Sequence, residues 1–312
     1  IKIRNRKKMV IEEKRSLSLD HVLVTVNDYP RTLNDYTRLG FMHSPVSLHP
    51  WGTSTCFIML EDSFIELLSV THPQQLGREA VNGFCFGKQM AAFSSTEFGR
   101  GEEGISLIAL HSKDARHDFA MLAEKLPENQ GLVDFRRKIV LSNGQPDEVA
   151  VTMGLLIDQK QPDTSWFICH QHRPDLIWRE EWRQHANGAK RLLALTYVDE
   201  YPERLAQRWR GLYADNVVLH NDVVEAQTHS GLLRAMTPQQ AAKQYAGVSL
   251  PKAIGARAHG IALRIEVDSL SKLCHYLDSQ GVTFIADEQR VLLEPACAGN
   301  VILEFVGEGT QP

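Results

Sequence analysis

The chain has 312 residues, 43% of them hydrophobic and 23% charged, which suits a soluble globular protein of two ordinary domains. Its formal net charge of −4 argues against nucleic acid and acidic membranes as partners, and no apolar run approaches the ~20 residues that span a bilayer. The cysteines are 5 in number, scattered and without a CxxC pair, which argues against a disulfide framework or a zinc knuckle and for a reducing, cytoplasmic setting.

In chain order, residues 1–17 form a basic segment without an apolar signal core. It reads as a frayed tail, with Met9 as the natural start. The run Leu19 to Val26 then predicts a strand with His21 near its beginning. Asp28 follows, and a helix carries Leu33, Tyr36 and Leu39 before Gly40. Two further strands, Ser54 to Leu60 and Ser63 to Val70, are divided by Glu61-Asp62, and the second bears Glu66 between apolar neighbours. A His on a first strand and a Glu on a last strand meet when a sheet curls, and both suit a divalent metal such as Zn, Mn, Fe or Ni.

The stretch from 72 to 104 is long for a connection and carries Phe84, Phe86 and Phe93, so it is expected to form a lid. The pattern of strand, Asp and amphipathic helix then recurs. Ile105 to Leu110 precedes Asp114 and a helix with Phe119, Leu122 and Leu126. Leu192 to Val198 precedes Asp199 and a helix with Leu205, Trp209 and Leu212. Ile261 to Val267 precedes Asp268 and a helix with Leu270, Leu273 and Leu277. Each Asp is expected to cap its helix, and further strands follow each helix, with Asn143-Gly144 as a hairpin turn. Such repetition predicts an α+β fold of four βαβββ modules, making two domains of two modules each. The expected domains are 18–186 and 187–312.

In this order and spacing the chain resembles the vicinal oxygen chelate superfamily, and within it the glyoxalase-like proteins. The likeness rests on Leu19-Asp20-His21-Val22, Leu39-Gly40-Phe41, Phe64-Ile65-Glu66-Leu67-Leu68 and Gly101-Glu102-Glu103-Gly104-Ile105. It continues in Phe167-Ile168-Cys169-His170-Gln171-His172 with Trp178, His185-Ala186-Asn187-Gly188-Ala189 and Val301-Ile302-Leu303-Glu304-Phe305. The resemblance implies that the modules pair into two curled eight-stranded mixed sheets, with metal ligands on the first and last strands of each unit, here His21 and Glu66. In the second unit the first-strand position falls near Ser106 or Leu107, which offers no good ligand, and the last-strand position near Cys169 or His170. In the C-terminal half Leu193 or Ala194, and Ala262, stand where a ligating His would, although Glu304 keeps a last-strand position. That half is expected to be a degenerate copy.

The expected metal set is thus His21, Glu66 and one of His170 or His172. Glu66 and His172 are the expected catalytic groups, and Trp51, Arg173 and Trp178 are expected to contact the substrate. His185 and Asn187 are candidates in the same inter-domain segment, and Glu102-Glu103 a candidate general base. The resemblance implies a divalent-metal-dependent lyase, isomerase or dioxygenase acting on a small oxygen-rich substrate. The alternative is a metal-free small-molecule binder of the same fold, its cavity lined by Trp51, Trp166 and Trp178. Pairing of units across a homodimer is the alternative to pairing within one chain. Neither a Gly-x-Ser-x-Gly elbow nor a phosphate loop or dinucleotide fingerprint stands out.

Overall fold

A computed structural model describes residues 17–97, 99–126, 129–141, 143–251 and 257–310. The basic segment before residue 17 lies outside them. The chain folds as α+β with mixed, curled sheets.

The first stretch runs β1 (Leu19–Thr25), α1 (Tyr29–Arg38), β2 (Ser47–Leu48), β3 (Thr53–Met59) and β4 (Phe64–Val70). After α2 (Phe86–Ser94) come β5 (Gly104–His111), α3 (Ala115–Ala123), β6 (Asn129–Val140), β7 (Pro146–Leu156) and β8 (Trp166–Gln171). The second half runs β9 (Ala189–Val198), α4 (Glu203–Tyr213), β10 (Val217–His220), β11 (Val223–Gln227), β12 (Leu232–Met236) and α5 (Pro238–Gln244). It closes with β13 (His259–Val267), α6 (Leu270–Ser279), β14 (Ile285–Ala286), β15 (Arg290–Leu293) and β16 (Ile302–Gly307).

In the first half β1 and β5 lie antiparallel at the centre. β4, β3 and β2 extend from β1, and β8, β7 and β6 from β5. The second half repeats this around β9 and β13. A single residue pair, Gly260 with Ile105, joins the two sheets where the central strands β13 and β5 begin.

Side-chain alternation divides each sheet into two faces. Val22 and Val24 of β1, with Ile108 and Leu110 of β5, pack under the helices. That cluster continues without a break into Tyr197, Trp209, Leu273 and Phe305, so both halves share one core. The other face of the first sheet forms a cup lined by a second cluster that includes Leu23, Trp51, Phe64, Phe135 and Phe167. The matching face of the second sheet is filled instead by Ala241 and Tyr245, and Tyr245 Oη donates to Thr196 Oγ1 at 2.9 Å.

The expected Asp caps divide. Asp28 and Asp114 accept from the backbone N–H groups of Arg31 and His117 and cap α1 and α3. Asp199 instead accepts from Tyr201 N, before α4. Asp268 pairs with Lys190 at 2.5 Å, and Ser269 caps α6. After α6 the first strand is reduced to Ile285–Ala286. Residues 72–104 contain a 3₁₀ turn and α2, and Phe84, Phe86 and Phe93 are all buried. No helix among the described residues is long and apolar enough to cross a membrane.

Candidate functional site

Glu66 sits on β4, and alternation turns it into the cup of the first sheet with Phe64 and Leu68. His21 on β1, Phe167, Cys169 and Gln171 on β8, and Phe135 and Arg137 on β6 line the same cavity of about 50 Å³. Trp51 and His49, from the turn between β2 and β3, close it on another side, and Phe86 of α2 packs over it. The setting is apolar and aromatic, so its few polar groups carry high electrostatic weight.

Those groups form one chain. His21 Nδ1 lies 2.7 Å from Asp20 Oδ2, and His21 Nε2 lies 3.3 Å from Glu66 Oε2. The other oxygen of Glu66 accepts from Thr55 Oγ1 at 2.6 Å and faces His49 Nε2 at 3.7 Å. Asp20 is fully buried. It also accepts from Gln171 Nε2 at 2.9 Å and faces His111 Nδ1 at 3.3 Å. The ring of His21 stacks on Phe64, with centroids 4.3 Å apart.

Burial disfavours a charged His21, but its hydrogen bonds to Asp20 and Glu66 outweigh that and raise its pKa above the usual histidine value. Glu66 is drawn the other way. Burial pushes it up, yet the hydrogen bond to His21 and the charges of His49 and His21 hold it down at about 2. His49 is pushed down to about 3, chiefly by burial, so it is neutral near neutral pH.

The donor chemistry fits a divalent cation. With Nδ1 of His21 committed to Asp20, Nε2 faces a carboxylate, and that contact needs a positive centre, either a proton or a metal. His49 Nε2 meets the other oxygen of Glu66 at 3.7 Å, and here the Thr53 hydroxyl behind Nδ1 lets a neutral imidazole face the carboxylate. His21, Glu66 and His49 are an imidazole–carboxylate–imidazole set, arranged as a chain through Glu66. Among the described residues a tighter group also occurs, in which donor atoms of Asp20, His21 and Cys169 lie within 4.8 Å of one another. Asp20 in that group already has both oxygens engaged.

The second unit adds no donor of its own at the matching positions. Counted back from the caps Asp28 and Asp114, His21 corresponds to Leu107. In the ladders Leu23 faces Glu66 and Ala109 faces Phe167, so Glu66 corresponds to Phe167. The last-strand position therefore falls on Phe167 rather than on Cys169 or His170. Phe167 meets the His21 ring edge-on with centroids 5.6 Å apart.

His21 and Glu66 are brought together as expected, whereas His170 and His172 are not brought to them. Cys169 and Gln171 point into the cup, so alternation turns His170 to the helix side, where Asp114 and Asp118 influence it electrostatically. His172 lies beyond the end of β8, its Nε2 2.8 Å from Thr152 Oγ1 and its ring tilted against that of His170, with centroids 4.1 Å apart. Arg173 is exposed and paired with Asp175 and Asp147. Trp178 packs edge-on against Phe64 and donates from Nε1 to Gln171 Oε1 at 2.7 Å, just behind the cavity wall. Trp51 lies inside, stacked on His49. Trp166 faces the helices beneath Arg208 and is not a cavity residue.

The remaining candidates have structural partners. His185 bridges Met42 N and Met59 O, and Asn187 ties Leu39 O to Ala189 N. Glu102 pairs with Arg100 and Arg257, and Glu103 accepts from Asn27 N. In the second half Glu304 is buried against Arg290 at 3.1 Å, with Ala262 at the His21 position.

Two basic cavity residues escaped the sequence reading. His49 lies in a connection rather than on a first or last strand, where a repeat-based search looks. Arg137 follows Val133 and Phe135 at a spacing of two along β6, which places it on the apolar inner face. That interruption of an apolar alternation is the signal that would have found it.

The glyoxalase-like domain family matches residues 19–213. No curated protein sequence matches the chain. Among solved structures, a hypothetical protein from Staphylococcus aureus aligns over 93% of this chain and 98% of its own, at 13% identity and a TM-score of 0.62. A mutant of 4-hydroxymandelate synthase from Streptomyces coelicolor aligns over 96% and 94%, at 10% identity and a TM-score of 0.56. The Mn(II)-bound glyoxalase from Novosphingobium aromaticivorans aligns over 94% and 83%, at 8% identity and a TM-score of 0.53. At these identities the structural likeness speaks for the fold. Since the family match spans more than half of the sequence, the chain belongs to the glyoxalase-like domain family, within the vicinal oxygen chelate fold.

Proposed function

We propose that this chain is a divalent-metal-dependent enzyme of the vicinal oxygen chelate type, with its centre at His21, Glu66 and His49. The observation that carries this reading is the double engagement of Glu66: one oxygen meets His21 Nε2 and the other meets His49 Nε2, inside an aromatic cavity. Similarity of fold to a Mn(II)-bound glyoxalase and to 4-hydroxymandelate synthase supports it. A bound cation supplies Lewis acidity toward adjacent oxygens of a small substrate, chemistry common to lyases, isomerases and dioxygenases.

The chain's own residues do the rest. Asp20 fixes the tautomer and ring orientation of His21, as a carboxylate behind a ligating histidine does. Burial keeps His49 neutral, so its lone pair is available for coordination. Thr55 holds the Glu66 carboxylate in place. Phe64, Phe135 and Phe167 keep bulk water from the centre, which strengthens every charge interaction inside it.

The test is elemental analysis of protein purified without chelator or polyhistidine tag. The wild type and Cys169→Ser are expected to carry near-stoichiometric metal, and His21→Ala and His49→Ala to lose it. Metal retained in His21→Ala would sink the assignment. Loss confined to Cys169→Ser and His21→Ala would move the centre to Asp20, His21 and Cys169. The apolar residues Leu107 and Phe167 at two ligand positions favour a second reading, a metal-free binder. Absence of metal from every preparation would support it.

A further inference from the structure

Arg137 is 8% exposed, a buried cation on the inner face of β6. Its Nη1 donates to Ser47 Oγ at 2.7 Å, while its Nε is buried without a partner. Its guanidinium carbon lies 5.7 Å from the Phe57 ring centroid. Among the described residues no carboxylate forms an ion pair with it, although Glu66 lies in the same cavity. A guanidinium with an unused N–H in an apolar pocket is costly unless an anion completes it.

Its position has a second property. Arg137, Phe57 and Val149 line both the inner cavity and a groove of about 800 Å³ outside it. The groove runs between Pro45–Leu48 and the strand end Ile139–Leu141, with Trp182 along one side. Val46, Leu48 and Val140 are among the large apolar residues the chain leaves exposed, and all three line this groove. Arg137 therefore stands at the neck between the small inner cavity that holds His21 and Glu66 and the long apolar groove.

We infer that Arg137 holds the carboxylate of an organic acid whose apolar body lies in the outer groove and whose reacting part reaches His21 and Glu66. This assignment of substrate class rests on the metal-centre reading only for the reacting part; the anion site stands on the geometry of Arg137. A carboxylate suits a guanidinium, whose planar N–H groups donate two parallel hydrogen bonds to its oxygens. One arginine facing Glu66 balances a single negative charge, so a phosphate dianion fits less well.

The test is calorimetric titration with 3-phenylpropionate, its neutral amide 3-phenylpropanamide and phenyl phosphate, on untreated and on chelator-treated protein. The acid is expected to bind roughly tenfold to a hundredfold tighter than the amide, the scale of one charge-assisted hydrogen-bond pair. Arg137→Gln is expected to abolish that preference and leave amide affinity unchanged, and Val140→Asp to weaken both ligands. Arg137→Lys, which keeps the charge, is expected to retain part of the preference. Equal binding of acid and amide by the wild type, or no binding of either, would overturn the assignment. So would tighter binding of phenyl phosphate, or an acid preference that survives in folded Arg137→Gln. A preference lost on chelation but not on Arg137→Gln would place the anion on a metal, a failure distinct from finding no metal at all.

Discussion

At the scale of the residue, the site is governed by what stands behind each functional group. Asp20 neither lines the cavity nor needs to touch a substrate, yet it fixes which nitrogen of His21 faces Glu66. Asp20→Asn would leave the shape and remove the charge that holds Nδ1. Metal affinity is expected to fall about 10- to 100-fold, read by competition with a metallochromic chelator; unchanged affinity in a folded variant would contradict the role given to Asp20. His21 and Glu66 were legible in the sequence, because a His and a Glu embedded in apolar strands need partners when buried. His170 was misplaced for a simple reason. Alternation makes neighbours on a strand face opposite ways, and His170 stands an odd three residues from Phe167, the position that matches Glu66, so its side chain falls on the other face. His49 was not legible, because a connection has no periodicity to mark its direction.

At the scale of the element, helix ends and strand contacts give distinct expectations. Ser269→Ala should cost about 1 kcal/mol of stability, because Ser269 accepts from Lys272 N at the start of α6. Asp268→Ala should cost less, since Asp268 makes only a surface pair with Lys190. Urea denaturation of the two variants decides this, and the reverse order would restore the cap expected from the repeat. A methyl group on Gly154 of β7 would sit 2.7 Å from Phe119 of α3. Gly154→Ala should therefore lose about 1–3 kcal/mol through overpacking, and an unchanged urea midpoint would show that Phe119 gives way. The repeated strand-helix order was readable because its period is long and its caps are polar. The exact caps were not, because Asp and Ser stand side by side before α6 and either can accept the free N–H groups.

At the scale of the whole molecule, the halves behave as one unit. The helix-side core runs from Leu19 to Phe305 without a break. Tyr36 Oη reaches Ala298 O, and Tyr213 Oη reaches Leu17 O. A buried ion cluster adds to this, with Arg257 of the second half pairing with Glu102 of the first. Unfolding followed by near-UV and far-UV circular dichroism should give one coincident transition; two separated transitions would show that the sheets are independent. Arg257→Ala should lower the midpoint of that single transition, because it removes a cationic partner from both Glu102 and Asp163. The sequence reading separated the halves because each repeats the same pattern. It could not show that their helices interleave into one core.

The central claim concerns the donors, and cobalt substitution tests it most directly. Metal-free protein titrated with Co(II) should bind one equivalent and show ligand-field bands without a sulfur-to-cobalt charge-transfer band, and Glu66→Gln should bind none. Failure of the wild type to bind Co(II), or a thiolate band that disappears in Cys169→Ser, would contradict a centre built on His21, Glu66 and His49.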